Sequence, residues 1–167
     1  GHGSFTWNIV DLESMANLNT ADDRMLNQAL LDMGMDAGET APIVGSIQDW
    51  IDPDDNEHPQ GAENGYYHSL SPAYDCKNGP IDDLSELLLV KGITPDIYWG
   101  TFSTNHPPPA FMPRNRRGQP EGYAFGLHDV FTPMSTGRIN INTASAEVLQ
   151  LLPMMDRPSA RSESGVQ

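Results

Sequence analysis

Apolar and polar residues nearly alternate at the start of the chain and then change to helical spacing. The stretch FTWNIV at residues 5–10 has the alternation of a β-strand that buries one face. From Met25 to Met33 the apolar residues recur every three or four positions, which predicts an amphipathic helix. Gly34 is expected to end this helix, and a second helix is predicted to begin near 40–42, because proline suits a first turn. The apolar face of the second helix consists of Ile43, Val44, Ile47, Trp50 and Ile51.

The pattern of helix, glycine turn and helix occurs again later in the chain. The leucines of 84–90 are predicted to form a helix that Gly92 ends, and Thr94 with Pro95 is expected to begin the next one. A third unit is predicted to begin at Asn142. Its apolar face consists of Val148, Leu149 and Leu152. Short helices of this kind bury their apolar stripes only by packing against one another.

One short motif, Asn-apolar-Asn-Thr-Ala, occurs twice, at 17–21 and at 140–144. Short polar side chains accept hydrogen bonds from the unpaired N–H groups of a first helical turn. In the first copy Thr20 is the predicted N-cap, and Asp23 three residues later gives a capping-box pattern. We therefore interpret the repeat as a duplicated helix start and not as a catalytic motif.

The charge of the chain is strongly negative and limits the classes of partner. Among 167 residues, 23 are Asp or Glu and nine are Lys or Arg, so the formal net charge is −14. Nucleic acids and anionic membranes need clustered cations, which disfavours both, whereas an extracytoplasmic or cation-binding protein fits this charge. The single cysteine, Cys76, excludes an intrachain disulfide. The chain as given has no run of 18 apolar residues that would span a membrane, and no signal peptide.

The stretch DPDDNEHPQGAE, residues 52–63, concentrates acidic side chains. Five of the ten carboxylates between Met25 and Cys76 lie in it, and no Lys or Arg occurs between those two residues. Crowded carboxylates raise one another's pKa unless a cation neutralises them. Counted from Asp52, the oxygen-bearing side chains at positions 1, 3, 5 and 12 have the spacing of a calcium loop that follows a helix.

The loop departs from the EF-hand pattern, so we predict an irregular calcium site. Position 6, where the sharp turn needs glycine, is Glu57, and Pro59 interrupts the second half of the loop. Hard oxygen ligands favour Ca²⁺, and no set of Cys and His side chains nearby would hold zinc. The candidate ligands are Asp52, Asp54, Glu63 and either Asn56 or Asp55. The alternative is a solvated acidic loop closed by Asn and Gly turns.

Several motifs that follow one another in the chain resemble one known family. They are IQDWIDPDD, GAENGYY, KNGPIDDLSELLLVKGIT and ININTASAEVLQLLP. In this order they are similar to the minor pseudopilin K family of type II secretion, also called general secretion pathway protein K. The hairpin units resemble the helix-hairpin-helix units of SAM-like domains. The resemblance extends from Trp7 to Pro153, nearly the whole chain.

This resemblance implies a non-enzymatic structural subunit of a protein-secretion machine. Family members lie in the periplasm and cap the tip of the pseudopilus with two other minor pseudopilins. The expected partners are those pseudopilins, with a secreted substrate protein as a further candidate, and no nucleic acid. The full-length protein is expected to be anchored in the inner membrane through an N-terminal helix absent from this chain. Family members bind calcium in their helical part, which favours a structural Ca²⁺ in the acidic loop.

The predicted fold is mainly α, in the α+β class. By the resemblance, a SAM-like helical hairpin domain is inserted in or attached to a partial pilin-like β element, with long irregular loops. The predicted order is a tag remnant at 1–4, a strand leading from a pilin-like core at 5–16, a helical domain at 17–100 with an acidic loop at 52–80, a proline-rich connection at 101–138, a second Asn-Thr-Ala unit at 139–153 and a flexible tail at 154–167.

The sequence gives little support to two other classes of function. A helix-hairpin-helix DNA-binding protein of the competence type would need several cations beside each hairpin. The hairpin MGMD has none, and the hairpin VKGIT has only Lys91. An enzyme could use Asp54 and Glu63 as paired carboxylates, but no further groups converge on them in the sequence.

Overall fold

The computed structural model of the protein describes residues 3–6, 9–102 and 122–152. These residues form a mainly helical fold with one small sheet, which confirms the predicted fold class. The middle of the predicted connection (103–121) and the predicted tail lie outside the described residues. The α-helices are α1 (Asp23–Met33), α2 (Ala37–Ile51), α3 (Asn64–Tyr67), α4 (Pro95–Trp99), α5 (Leu127–Val130) and α6 (Ala146–Gln150). The strands are β1 (Ala16–Asn17) and β2 (Phe131–Thr132), and the 3-10 helices are Leu12–Ser14, Leu18–Thr20 and Leu84–Leu89.

The α1–α2 hairpin is present as predicted, although α1 begins at a different residue. Gly34 ends α1 with a φ of +106°, and its N–H donates to two carbonyls of the last turn, which confirms the predicted stop. The N-cap is Asp22, whose carboxylate accepts from the N–H of Met25 at 2.8 Å. Thr20, the predicted N-cap, lies instead in the preceding 3-10 helix. Asp22 is the stronger cap because it directly precedes the first helical residue.

The second helix, α2, begins earlier than predicted and includes a proline. It starts at Ala37, so Pro42 lies inside the helix and has no N–H to donate to the Gly38 carbonyl. Burial of the apolar face offsets this loss. The buried apolar residues of α2 are Ile43, Val44, Ile47 and Trp50. The Thr40 hydroxyl donates to Asn27 Oδ1 at 2.6 Å and ties α2 to α1.

The sheet lies at a different place from the predicted strand. β1 pairs in parallel with β2, with Ala16 opposite Phe131, and both of these residues are buried. The prediction of a strand at 5–10 is wrong for the described part of that segment, since residues 5, 6, 9 and 10 lie in no strand. Phe5 is 80% exposed and Ile9 is 93% exposed, so these side chains bury almost no surface. Alternation specifies a face only where a partner strand and a core are available.

The later helical predictions are partly confirmed. Thr94 caps α4 as its position before a proline indicated. The helix predicted at 84–90 is a 3-10 helix, because Leu87 is its only fully buried residue and a single anchor does not require a longer α-helix. Ser145 caps α6, so the helix of the third unit begins after Asn142 and not at it.

Both copies of the Asn-apolar-Asn-Thr-Ala motif fold into the same turn. The first Asn side chain accepts from the N–H two residues later, at 2.8 Å for Asn17 and 3.1 Å for Asn140. The hydroxyl of Thr20 donates back to the carbonyl of Asn17 at 3.3 Å, and the hydroxyl oxygen of Thr143 lies 3.4 Å from the carbonyl oxygen of Asn140. The motif is therefore an Asx turn that leads the chain into a helix, and the N-cap lies just after it.

The two turns hold different distant segments of the chain. In the first turn, the Asn19 side chain accepts from the Ile81 N–H at 2.8 Å and donates to the Ile81 carbonyl at 3.0 Å. In the second turn, Asn140 and Thr143 donate to the carboxylate of Asp11 at 3.0 and 2.6 Å. The same local structure thus fixes the segment before the Leu84–Leu89 helix in one case and the start of the chain in the other.

We expect Asn19→Ala to destabilise the fold by about 1–3 kcal/mol, because both backbone groups of the buried residue Ile81 lose a partner. Asn142, the equivalent residue of the second turn, is exposed, and its side chain bonds only to Asn140 among the described residues. Asn142→Ala is therefore the matched control, with an expected change below about 0.5 kcal/mol. Urea unfolding of both variants measures the difference, and equal losses would contradict a stabilising role for the Asn19 contact.

Candidate metal site in the acidic loop

The acidic loop is held against α2 by Asp49, which lies in the last turns of that helix and is fully buried. One carboxylate oxygen accepts from the N–H of His58 at 2.9 Å and contacts its Nδ1 at 2.5 Å. The other oxygen accepts from the N–H of Ala62 at 2.6 Å. The hydrogen bond to Asp49 raises the pKa of His58, which favours an imidazolium beside the buried carboxylate.

Two glycines allow the loop to lie this close to α2. A Cβ atom on Gly61 would lie 2.0 Å from a carboxylate oxygen of Asp49. A Cβ atom on Gly45, in the middle of α2, would lie 3.2 Å from the Pro59 carbonyl and 3.3 Å from Gly61. The Lys91 ammonium also donates to the Gly61 carbonyl at 2.7 Å. Backbone contact this close has no room for a side chain, which explains glycine at both positions.

Three of the predicted ligands form consecutive turns within the loop. Asp52 Oδ1 accepts from the N–H of Asp54 at 3.4 Å, and Asp54 Oδ1 accepts from the N–H and Nδ2 of Asn56 at 2.8 and 2.6 Å. A fourth predicted ligand, Asp55, accepts at Oδ1 from Asn64 Nδ2 at 2.9 Å. The turns therefore use Oδ1 of each carboxylate and leave Oδ2 out of these bonds.

Glu63 differs from the other predicted ligands because it is buried. Only 4% of the residue is exposed, and among the described residues neither carboxylate oxygen accepts a hydrogen bond of ordinary geometry, although the nearby Cys76 thiol interacts with it. Burial raises the pKa of Glu63 to about 7. Asn78, whose Nδ2 donates to the Asp54 carbonyl at 2.6 Å, also has a buried Oδ1 without a partner. Buried acceptor oxygens of this kind require a donor, a water molecule or a cation.

The acidic and histidine side chains close enough to share one ion differ from the predicted set. Among the described residues they are Asp49, Asp52 and His58, whose ligand atoms lie within 4.8 Å of one another. Of these only Asp52 was predicted, and the remaining predicted acids do not join this group. The available sequence signal was the position of Asp49, a polar residue between Ile47 and Trp50 on the buried face of α2. The position of His58 within the acidic loop was a signal that it could approach an ion, but its contact with Asp49 depends on how the loop folds back.

Residues 6–99, more than half of the chain, match the family model of protein K of the type II secretion system. The chain belongs to this family. A putative type II secretion system protein K of Escherichia coli K12 is 34% identical over 105 residues, which are 55% of this chain and 32% of that protein. Type II secretion system protein K of Klebsiella pneumoniae is 27% identical over 103 residues, 54% of this chain and 32% of that protein. This protein K chain thus spans about one third of the length of these relatives.

A solved structure also contains a similar chain. It is the crystal structure of the GspK-GspI-GspJ complex from the type 2 secretion system of enterotoxigenic Escherichia coli, with 24% identity and a TM-score of 0.47. The match covers 50% of this protein K chain and 34% of the other. The predicted family is therefore confirmed by the family model, and the DNA-binding alternative finds no support among the relatives. None of the described helices is long and apolar enough to cross a membrane.

We expect Glu63→Gln to remove a pH dependence of stability from the chain when no divalent cation is present. The pKa of Glu63 is about 7 in the fold, above the usual 4.5, so the folded state binds this proton more tightly than the unfolded state. The resulting stability is complete below about pH 4.5 and is lost as the pH rises towards 7. Relative to the variant, the unsubstituted chain should lose on the order of 3 kcal/mol over this range.

Urea unfolding in the presence of a chelator, at pH values between about 4.5 and 7.5, measures this difference. Taking the difference between the two proteins removes the titration of all other carboxylates, since they are common to both. Parallel pH profiles of the two proteins would contradict a raised pKa for Glu63.

Proposed function

We propose that this chain is the helical part of a minor pseudopilin, a non-enzymatic structural subunit at the tip of the type II secretion pseudopilus. The observation that supports the proposal most directly is the family match over residues 6–99. The chain spans about one third of its relatives, so the role of the whole protein is inferred from its family. The full-length protein is proposed to lie in the periplasm with an anchor in the inner membrane.

The proposed partners are other minor pseudopilins, and a secreted substrate protein is the second candidate. Exposed apolar side chains are consistent with assembly, because contact with a partner would remove them from water. Among the described residues these side chains include Leu88, Leu89, Met134 and Ile141. Nucleic acid is a poor partner for a chain of net charge −14, since phosphate contacts need cations.

Co-expression with the two other minor pseudopilins of the same secretion system is expected to give one complex in size-exclusion chromatography. The physical basis is burial of the exposed apolar side chains in a shared interface. A labelled DNA duplex, run in the same way, should elute separately from the chain. Separate elution of the three proteins at micromolar concentrations would contradict the assembly proposal, and co-elution with the duplex would favour the DNA-binding alternative.

We further propose a structural Ca²⁺ in the acidic loop. The support is the buried carboxylate of Glu63, which accepts no N–H from the described residues and whose charged form burial disfavours unless a cation neutralises it. Ca²⁺ takes roughly six to eight oxygen ligands in irregular geometry, which suits a loop of carboxylate, amide and carbonyl oxygens. An ion bound only by the folded loop would stabilise the fold by mass action. The candidate ligands are Asp52, Asp54, Asp55, Asn56 and Glu63.

Millimolar Ca²⁺ is expected to raise the melting temperature by several degrees relative to chelator, and Mg²⁺ is expected to raise it less. Glu63→Gln and Asp54→Ala should each abolish the increment, because each removes a candidate ligand. Asp75→Asn is the matched control, since Asp75 is an exposed carboxylate outside the stretch 52–63 and pairs with His68 at 2.7 Å. Differential scanning fluorimetry with the three additives makes the measurement.

Identical melting curves in Ca²⁺, Mg²⁺ and chelator would contradict the calcium proposal and leave the family assignment unchanged. An equal loss of the increment in Asp75→Asn would show that the ion acts by general screening of the negative charge and not at the acidic loop.

A further inference from the structure

We propose that Asp49 is the positioning residue of the acidic loop: it holds the loop closed over α2 and thereby fixes the candidate calcium ligands in place. The inference rests on the calcium site proposed above and adds a residue that is not itself one of the ligands. Three observations support the inference. They are the atoms that bind Asp49, the positions of those atoms in the loop, and the close approach of the loop backbone to the carboxylate.

The contacts of Asp49 reach both ends of the ligand set. Asp52 follows Asp49 by three residues, at the end of α2, and begins the set. Glu63 directly follows Ala62, whose N–H donates to Asp49 at 2.6 Å, and ends the set. Between them, His58 binds Asp49 through its backbone and its ring, and the same ring lies 3.6 Å from Asp52 Oδ2. These contacts fix the loop backbone at His58 and at Ala62, between the first and the last candidate ligand.

Asp49 already holds the loop through three donors. One oxygen receives the N–H and the ring nitrogen of His58, and the other receives the N–H of Ala62. The first oxygen has no lone pair left for an ion, and the second could bind one only beside the Ala62 N–H, in a fully buried position. The Glu63 oxygens accept no backbone N–H from the described residues. Partners that orient metal ligands without binding the metal commonly alter affinity by about 10–100-fold when they are removed.

Gly61 provides a test that leaves every charge in place. Because a Cβ atom there would lie 2.0 Å from the Asp49 carboxylate, Gly61→Ala must push the loop away from α2. Gly65, four residues later, has an ordinary φ, and a Cβ atom added to it would meet nothing within 4 Å, so Gly65→Ala is the matched control. Asp49→Asn removes one acceptor and introduces a donor that faces the donors of the loop.

The experiment measures calcium affinity by titration calorimetry and amide exchange of Ala62 and His58 in chelator, for the unsubstituted chain and the three variants. We expect Asp49→Asn and Gly61→Ala to weaken Ca²⁺ binding about tenfold or more and to speed exchange of the Ala62 amide. Gly65→Ala should leave the calcium affinity and the exchange rate of the Ala62 amide unchanged. A role in stability alone would lower the melting temperature and leave calcium affinity unchanged.

Equal calcium affinity in all four proteins would overturn the inference about Asp49 and leave the calcium site intact. Retained protection of the Ala62 amide in both Asp49→Asn and Gly61→Ala would overturn it as well. If the unsubstituted chain takes up no calcium, the proposed site is wrong, and with it the part that Asp49 has in ion binding. Gly61→Ala keeps the test decisive if Asp49→Asn does not fold.

Discussion

The arrangement of the acidic loop depends on the buried carboxylate of Asp49. A carboxylate without solvent exposure is tolerated only when its oxygens are hydrogen-bonded or paired with a cation. Here the donors come from His58 and Ala62, nine and thirteen residues further along the chain. The last turns of α2 therefore cannot bury Asp49 with its oxygens satisfied until the loop has folded back, so the helix end and the loop form together.

Asp49 and Glu63 are two buried carboxylates in opposite situations. Both oxygens of Asp49 receive N–H donors from the loop, whereas neither oxygen of Glu63 receives an N–H from the described residues. The first arrangement fixes backbone, and the second leaves acceptors that a proton or a cation must satisfy. Burial raises the pKa of Glu63 to about 7, so near neutral pH a proton competes with any cation for this carboxylate. The difference in partners is what separates a positioning residue from a candidate ligand.

Local signals in the sequence predicted the features that depend on neighbouring residues. Gly34 ends α1 and Thr94 caps α4, because a left-handed turn and a capping side chain act within a few residues. The predicted strand at 5–10 failed since its pairing needs a distant partner. The contact between Asp49 and His58 was missed for the same reason, since it exists only after the loop has closed over α2. The burial of Glu63 could not be predicted from its position in the loop, because burial depends on the whole fold.

The two copies of the Asn-apolar-Asn-Thr-Ala motif show, within a single chain, which features neighbouring residues determine and which features distant contacts determine. Both copies make the same Asx turn, with hydrogen bonds that differ by only a few tenths of an ångström. Yet the first copy holds the backbone of Ile81, and the second holds the carboxylate of Asp11. Only the first copy lies in the segment that matches the protein K family model. Five residues therefore determine the turn, and the surrounding packing determines what the turn is used to hold.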